Sequence, residues 1–287
     1  MMTQQRDPQS IKEEARQQWG RAAAGWRKHD ERFRQVTAPV TQRLLEAAGI
    51  SPGHRVLDIA CGTGEPALPA AEVVGPGGRV VLTDQAPEML AVAREMAEAR
   101  GLTNVEFRLA DGEELEAEPG SFDAATCRWG IMFMPEPLRC LGHIYGALKP
   151  GGRVAFSAWG PPERNPFISL PAMVLGKHME TPPPNPTLPG GVFSFAAPGK
   201  LESAFAEAGF RDVRADWLEL PMAVFDSGEE YWQFQREIAG PLATIFAQLP
   251  PAAQQSAERE IIRAASMGHP EGKVSLNGYT VIVSGVK

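Results

Sequence analysis

Residues 56–70 read VLDIACGTGEPALPA. An apolar run leads into a glycine turn, and the turn leads into helix formers. That order predicts a strand buried on both faces, a tight turn and a helix N-terminus, the repeating unit of parallel α/β sheets. Such a turn commonly cradles a nucleotide-like ligand. Gly62, Gly64 and Ala67 have the G-x-G-x-x-A spacing that the dinucleotide fingerprint permits. No Gly-Lys-Ser/Thr follows, so a Walker phosphate loop is excluded. Two neighbours argue against a diphosphate. Glu65 brings negative charge to the helix N-terminus, and Pro66 removes one backbone N–H donor. Asp58 stands inside the apolar run, where an acid is costly unless it meets a cation or several N–H donors. A ligand with an ammonium or sulfonium group suits this turn better than a phosphate.

The rhythm continues downstream. Further strands are expected at 79–84, 104–109, 122–127 and 152–158, after a first at 55–60. Pro87 opens a helix that Gly101 closes, with Met89, Leu90, Ala93, Met96 and Ala97 facing inward. Alternating strands and helices predict a doubly wound parallel sheet with right-handed crossovers. Upstream, residues 10–50 read as helical, with Trp19, Trp26 and Phe33 about two turns apart. Beyond 158 a proline-rich stretch to 191 is too long for a simple connection and reads as a lid or substrate-side insertion. A helix within 198–210, a strand near 213–220, a helix opened by the Ser227/Glu230 capping box, a helix over 251–266 and a closing strand at 278–286 complete the chain. The expected division is a helical N-terminal cap over 1–50 and a ligand-binding domain over 51–287, with insertions at about 160–197 and 227–270.

A net charge of −7 with no basic tail argues against nucleic-acid binding. Apolar runs are only strand-length, so no membrane span is expected, and the N-terminus has no apolar signal-peptide core. Three cysteines without metal-site spacing fit a reducing, cytoplasmic setting. Monomer and homodimer both stay open.

Two further acids extend the argument from Asp58. Asp84 ends the second strand, 20 residues after Gly64, where a carboxylate can accept both ribose hydroxyls. Asp111 follows the third strand, where it can accept from an adenine amino group, with Met89 and Leu90 flanking the base. Singly, each acid is commonly a turn former or helix cap. Three acids at three successive strand ends, beside a glycine turn, point to an adenosyl ligand at the C-terminal edge of the sheet.

This constellation resembles the class I S-adenosylmethionine-dependent methyltransferases, closest to the ubiquinone/menaquinone-biosynthesis group acting on small molecules. VLDIACGTG (56–64) is similar to the family's first motif, with Ala60 at its usual first glycine. TDQAPEML (83–90) is similar to its second-strand motif and LADGEEL (109–115) to its adenine motif. FDAATCRWGIMFMPEP (122–137) and ALKPGGRVAFSAW (147–159) resemble its fourth and fifth strands. The resemblance implies a Rossmann-like sheet of seven strands, the last antiparallel, under an N-terminal cap. It implies S-adenosylmethionine as cofactor and S-adenosylhomocysteine as product. The expected cofactor set is Asp58, Ala60, Gly62, Gly64, Asp84 on the ribose, Gln85 and Met89 near the adenine, Asp111, Gly112, Glu113 and Arg128. Trp26 joins it, standing where many relatives carry a tyrosine near the cofactor's carboxylate end.

Methyl transfer is an in-line displacement, and orientation alone can supply about 7–11 kcal/mol of its barrier. A base is needed for a phenol, alcohol or carbon acid, and less for a thiolate or free amine. His143 falls off the stripe of Leu138, Leu141, Ile144 and Leu148 and reads as solvated. His54 is at the wrong end of the sheet and His269 lies at a Gly-Pro turn. His29 in the cap and His178 in the insertion are better placed, though weak, candidates. No acidic pairing suited to magnesium is present, so no metal is expected. Trp129, Met132, Phe133, Met134, Trp159, Phe167 and Met173 make the pocket segments apolar, and at least half of them read as packing. Trp129, Phe133, Trp159 and Phe167 are the substrate-wall candidates. Arg128 ends an apolar strand at the ligand edge, to bind an acidic acceptor or to tie the cap to the sheet. The expected activity is methylation of a small, partly apolar acceptor, such as an aromatic or natural-product intermediate. The alternative is a cofactor-binding protein that does not methylate. An NAD-linked oxidoreductase fits the glycine spacing but not Glu65, Pro66 and Asp111.

Overall fold

A computed structural model describes residues 7–267 and 272–287. Its strands are β1 (Arg55–Ile59), β2 (Arg79–Asp84), β3 (Val105–Leu109), β4 (Phe122–Arg128), β5 (Leu148–Trp159), β6 (Arg211–Phe225) and β7 (Val274–Val286). Its helices are α1 (Pro8–Lys28), α2 (Asp30–Ala47), α3 (Ala67–Val74), α4 (Pro87–Ala99), α5 (Pro137–Ala147), α6 (Pro166–Lys177), α7 (Lys200–Glu207), α8 (Gly228–Ile238), α9 (Gly240–Gln248) and α10 (Pro251–Ser266).

The strands form one sheet in the order β3-β2-β1-β4-β5-β7-β6. β1 to β5 run parallel, and β7 is antiparallel to both its neighbours. This is the seven-stranded doubly wound sheet the sequence predicts, last strand reversed. Strand order turns back between β1 and β4, which opens the crevice where such sheets bind ligands. β1 and β2 are interior and almost wholly buried, hence their unbroken apolar runs. β3 is an edge strand, and Leu109 at its end is exposed.

Several boundaries differ from the sequence reading. The helical stretch over 10–50 breaks at His29 into two helices with different neighbours. Val40, Leu44 and Ala48 join the sheet's hydrophobic core, and α2 packs across β4 to β7. α1 instead lies along α4 and against α8 and α9. β6 and β7 are longer than expected because each supplies the other's hydrogen-bonding partner along most of its length. The proline-rich stretch contains α6, whose Pro166 sits in the first turn, where a missing N–H costs nothing. Gly240 and Pro241 start α9, a helix absent from the sequence reading, with proline again in the first turn. The expected capping box is present: Ser227 Oγ accepts from the Glu230 amide at 3.2 Å, and Glu230 accepts from the Asp226 amide at 2.7 Å. α10 spans 251–266 as expected, and His269 lies outside the described residues. Among the described residues no helix is long and apolar enough to cross a membrane.

Candidate functional site

The C-terminal ends of β1, β2, β3 and β4 make a rim. At the end of β1, Asp58 is fully buried. Parallel register sets it opposite Thr126 of β4, whose hydroxyl donates to Oδ1 at 2.5 Å. Among the described residues Oδ2 has no hydrogen-bond partner. Burial pushes this carboxyl up to about 8, so without a cation beside it the group is neutral at pH 7.

The turn after β1 needs left-handed backbone at Ala60 (φ +52°), Gly62 (φ +53°) and Gly64 (φ +111°). Ala60 carries a Cβ in that conformation because Gly130, after β4, has none: a Cβ there would lie 2.6 Å from it. A Cβ on Gly62 would meet no chain atom within 4 Å, so the turn exposes bare backbone to open space. Asp84 closes the other side. Its Oδ2 accepts from the Gly62 amide and its Oδ1 from the Ala86 amide, both at 2.9 Å. Burial still lifts its pKa to about 6, against the pull of those amides. Gln85 follows, half-buried. Met89 is buried against Ala22 and Ala23 of α1.

Asp111 continues the rim after β3. Its Oδ1 accepts from the Glu113 amide at 2.9 Å, and Lys12 Nζ of α1 lies 2.6 Å from its Oδ2. Gly112 is tightly enclosed: a Cβ would lie 2.9 Å from Met134 Cε and 3.0 Å from Ile59 Cγ2. The buried Glu113 accepts from the Glu136 amide at 2.5 Å. A cleft of about 250 Å³ opens here between Gln9, Lys12, Gln85, Leu109 and Asp111.

Hydrogen bonds and close contacts thus bring Asp58, Ala60, Gly62, Gly64, Asp84, Gln85, Asp111 and Gly112 onto one continuous edge. Other candidates are engaged elsewhere. Arg128 Nη1 donates to Thr37 at 2.8 Å and Thr41 at 3.1 Å, and Glu65 lies 3.9 Å away. Of its two expected roles, these bonds realise the tie between the N-terminal helices and the sheet. Glu65 also accepts from Thr41 and faces Arg100 at 3.4 Å, so its charge is balanced inside the protein. Trp26 spends its single donor on the Ile238 carbonyl at 2.9 Å and sets its ring edge-on to Phe33. That N–H is therefore not free for a carboxylate.

The two candidate histidines are paired with acids on neighbouring helices. His29 Nε2 lies 2.5 Å from Glu237, whose pKa falls to about 2 because hydrogen bonds from Lys28, His29 and Gln233 outweigh its burial. His178 Nε2 lies 3.2 Å from Glu260 on the α6–α10 seam. Among the described residues neither is hydrogen-bonded to the rim. His143 is exposed, as expected, and approaches the Glu113 carbonyl at 3.1 Å.

The four wall candidates occupy three settings. Trp129 and Trp159 stack at 4.2 Å, 12° from parallel, and Trp129 donates to Thr280 at 2.9 Å. Phe133 meets Trp19 of α1 edge-on at 5.0 Å. Phe167 packs among Tyr231 and Phe234 of α8, and its carbonyl accepts from Tyr231 and Gln235. Sequence reasoning missed Lys12, Thr37, Thr41 and Thr126. One signal was present: Lys12 lies seven residues before Trp19, on the inward stripe of α1, where a lysine requires acids opposite.

The family described as a methyltransferase domain matches residues 50–178. The demethylmenaquinone methyltransferase of Thermus thermophilus is 36% identical over 200 residues, 66% of this chain and 88% of that protein. The nocamycin O-methyltransferase of Saccharothrix syringae is 34% identical over 184 residues, 61% of this chain and 66% of that protein. Among solved structures, Haemonchus contortus phosphoethanolamine N-methyltransferase 2, in complex with S-adenosylhomocysteine, shares the fold. Its TM-score is 0.53 at 22% identity, covering 87% of this chain and 52% of that one.

Proposed function

The chain belongs to the class I S-adenosylmethionine-dependent methyltransferases, and from that premise we propose that it methylates a small, partly apolar acceptor with S-adenosylmethionine as donor. The observation that carries the reading is the open bonding capacity of the rim. Asp58 Oδ2 is buried and, among the described residues, unpartnered, beside a glycine turn where a Cβ on Gly62 would meet none of their atoms within 4 Å. A buried acceptor left unmade costs about 1–3 kcal/mol, which a cationic ligand would recover.

The donor set fits the whole cofactor. Asp58 suits an ammonium group and Asp84 the ribose hydroxyls. Asp111, Gln85 and Met89 suit the adenine, and Gly62 lets backbone approach closely. Bound S-adenosylmethionine supplies an electrophilic methyl group on a sulfonium whose leaving group is a neutral thioether. The chain's own task is to hold, orient and dry the reactants. α1 reaches the rim through Lys12, whose Nζ lies 2.6 Å from Asp111, and Arg128 fixes α2 against the sheet through Thr37 and Thr41. The likeness to a demethylmenaquinone methyltransferase and to a nocamycin O-methyltransferase supports an acceptor such as a hydroquinone or natural-product ring. Among the described residues neither candidate histidine is hydrogen-bonded to the rim, which favours an acceptor that reaches the site already nucleophilic.

Calorimetric titration with S-adenosylhomocysteine and with NADH tests the reading, followed by mass spectrometry of a panel of hydroquinones, phenols, thiols and amines incubated with S-adenosylmethionine. S-Adenosylhomocysteine should bind, and Asp84→Ala should weaken it about 100-fold, as expected for two lost hydrogen bonds to a charged group. Binding of NADH alone would overturn the donor. Intact donor binding without methylation of any acceptor would favour the non-methylating alternative.

A further inference from the structure

α1 turns one stripe inward: Lys12, Ala15, Trp19, Ala22, Ala23 and Trp26. Lys12 is the exception in chemistry, with 8% of its surface exposed. Its Nζ lies 2.6 Å from Asp111, 3.1 Å from Glu113 and 3.0 Å from Glu114. Burial alone would lower its pKa, but hydrogen bonds to the three acids outweigh burial and raise it, so Lys12 stays cationic. Among the described residues no other cation forms an ion pair with Asp111 or Glu113. Arg16, one turn further along α1, is held by Glu13 at 2.7 Å. Lys12 and Asp111 border the same cleft of about 250 Å³, with Gln85 and Leu109. α1 is seated at both ends of its inward stripe. A Cβ on Gly190 would lie 2.8 Å from Ile11 Cγ2, and Trp26 donates to the Ile238 carbonyl at 2.9 Å. The helix therefore presents Lys12 to Asp111 from a fixed position.

We propose that Lys12 is a positioning residue that makes the site select an adenine: its ammonium holds the Asp111 carboxylate in place as a hydrogen-bond acceptor only. This role rests on Asp111 being the adenine acceptor, as in the proposed function. Asp111 Oδ1 accepts from the Glu113 amide at 2.9 Å, and Oδ2 lies 2.6 Å from Lys12, so a donor fixes each oxygen. A carboxylate oxygen has two lone pairs, so either can accept again, from a 6-amino group. An acceptor-only group attracts that amine and repels the 6-oxo group of a hypoxanthine in the same place. The acids need the ammonium for this. Without it three like charges crowd together, and such a cluster relaxes by swinging apart or by taking up a proton. Glu113 is fully buried and its Oε1 accepts from the Glu136 amide, so it cannot retreat. Asp111 and Glu114, with 23% and 57% of their side chains exposed, have room to turn away. A carboxylate that has turned away no longer meets the base. A protonated one carries an O–H that can donate to a 6-oxo group. Either outcome erases the preference for an amine.

Calorimetric titration with S-adenosylhomocysteine and its 6-oxo analogue S-inosylhomocysteine tests the role. The parent should prefer the amine about 100-fold, the worth of a hydrogen bond to a charged group. Lys12→Met should lower that preference about tenfold. Equal loss of affinity for both ligands, with the preference intact, would make Lys12 a fastener of α1 and overturn the proposal. Ile11→Ala supplies the contrast, because it loosens the same turn of α1 without touching the charge. It should leave the preference unchanged. A preference that falls as far in Ile11→Ala as in Lys12→Met would assign the effect to the seating of α1, against the proposal. A crystal structure of the parent with S-adenosylhomocysteine needs no variant to fold. Lys12 Nζ and the 6-amino nitrogen should both lie about 3 Å from Asp111. A Lys12 that has left Asp111 in that complex would sink the positioning role. The underlying reading has its own arm, since Asp111→Ala should bring the preference towards one. A parent indifferent to the two ligands, or a preference unmoved by Asp111→Ala, would remove the adenine reading itself. A preference lost in Asp111→Ala but intact in Lys12→Met would remove only the role of Lys12.

Discussion

Asn165 and Asp58 are fully buried polar side chains on opposite flanks of the sheet, and they are completed to different degrees. On the β7 side, Asn165 Nδ2 donates to the carbonyls of Gly160, Pro161 and Tyr279, and its Oδ1 accepts from the Tyr279 amide. Both polar atoms of that amide are satisfied inside the chain. On the β1–β4 side, Asp58 has one oxygen bonded and one with no partner. Desolvation is costly in both places, but only Asn165 recovers it within the fold. The contrast separates a polar group that holds the structure together from one that, under the proposed function, a ligand completes.

The largest effect should come from breaking the closed node. Asn165→Ala removes the partner of the Tyr279 amide and of the Gly160 carbonyl, while the Pro161 and Tyr279 carbonyls keep the Arg164 and Gly160 amides, and should cost about 3 kcal/mol in urea unfolding. The affinity for S-adenosylhomocysteine should hardly change. A stability loss below about 1 kcal/mol would erase the distinction between the two flanks.

The open node should show itself through pH. Burial raises Asp58 from 3.8 to about 8, so the unfolded chain releases this proton well before the folded one. The stability it contributes is full below 3.8 and is lost as pH rises towards 8, at about 1.4 kcal/mol per pH unit. Asp84 behaves likewise but is spent by about 6, which leaves the interval from 6 to 8 to Asp58. Across it, a cationic ligand group draws Asp58 into its ionised form. Affinity for S-adenosylhomocysteine should therefore rise up to about tenfold per pH unit and flatten above pH 8. Asp58→Asn should flatten both curves and be more stable than the parent near pH 8. Parent affinity that is level from pH 6 to 8 would contradict an open acid at this position.

The smallest effect should come from Gly62. At φ +53° an alanine costs about 1 kcal/mol in strain, with no chain atom for its Cβ to strike. Gly62→Ala should therefore weaken S-adenosylhomocysteine more than it lowers the melting temperature. The opposite ranking would make the turn a packing feature.

The β1–β5 half was legible for a physical reason. Interior parallel strands are continuous apolar runs, and their ends are marked by glycine or acid, so β2 falls on 79–84 as read. The rim acids were legible as strand ends, since a turn after a buried strand leaves few other places for a carboxylate. The β6–β7 half was less so, because long antiparallel partners extend each other beyond what either sequence marks. α9 was hidden by a proline whose meaning depends on whether a helix begins there or ends. The partners of Trp26, His29 and His178 were not legible, for one reason. Their sequence neighbourhoods say nothing of Ile238, Glu237 or Glu260, which reach them from other helices.

The sequence by itself determined the alternation of strands and helices, the glycine turn and the acids at successive strand ends. Periodicity and turn chemistry act between residues close along the chain, so a linear reading can reach them. Only the tertiary structure decided which polar groups are finished and which stay open. Arg128 with Thr37, Lys12 with Asp111 and Asp58 with Thr126 are pairs brought together from distant segments. Whether a buried charge finds a partner depends on which segments meet in space, and that is settled when the helices pack on the sheet.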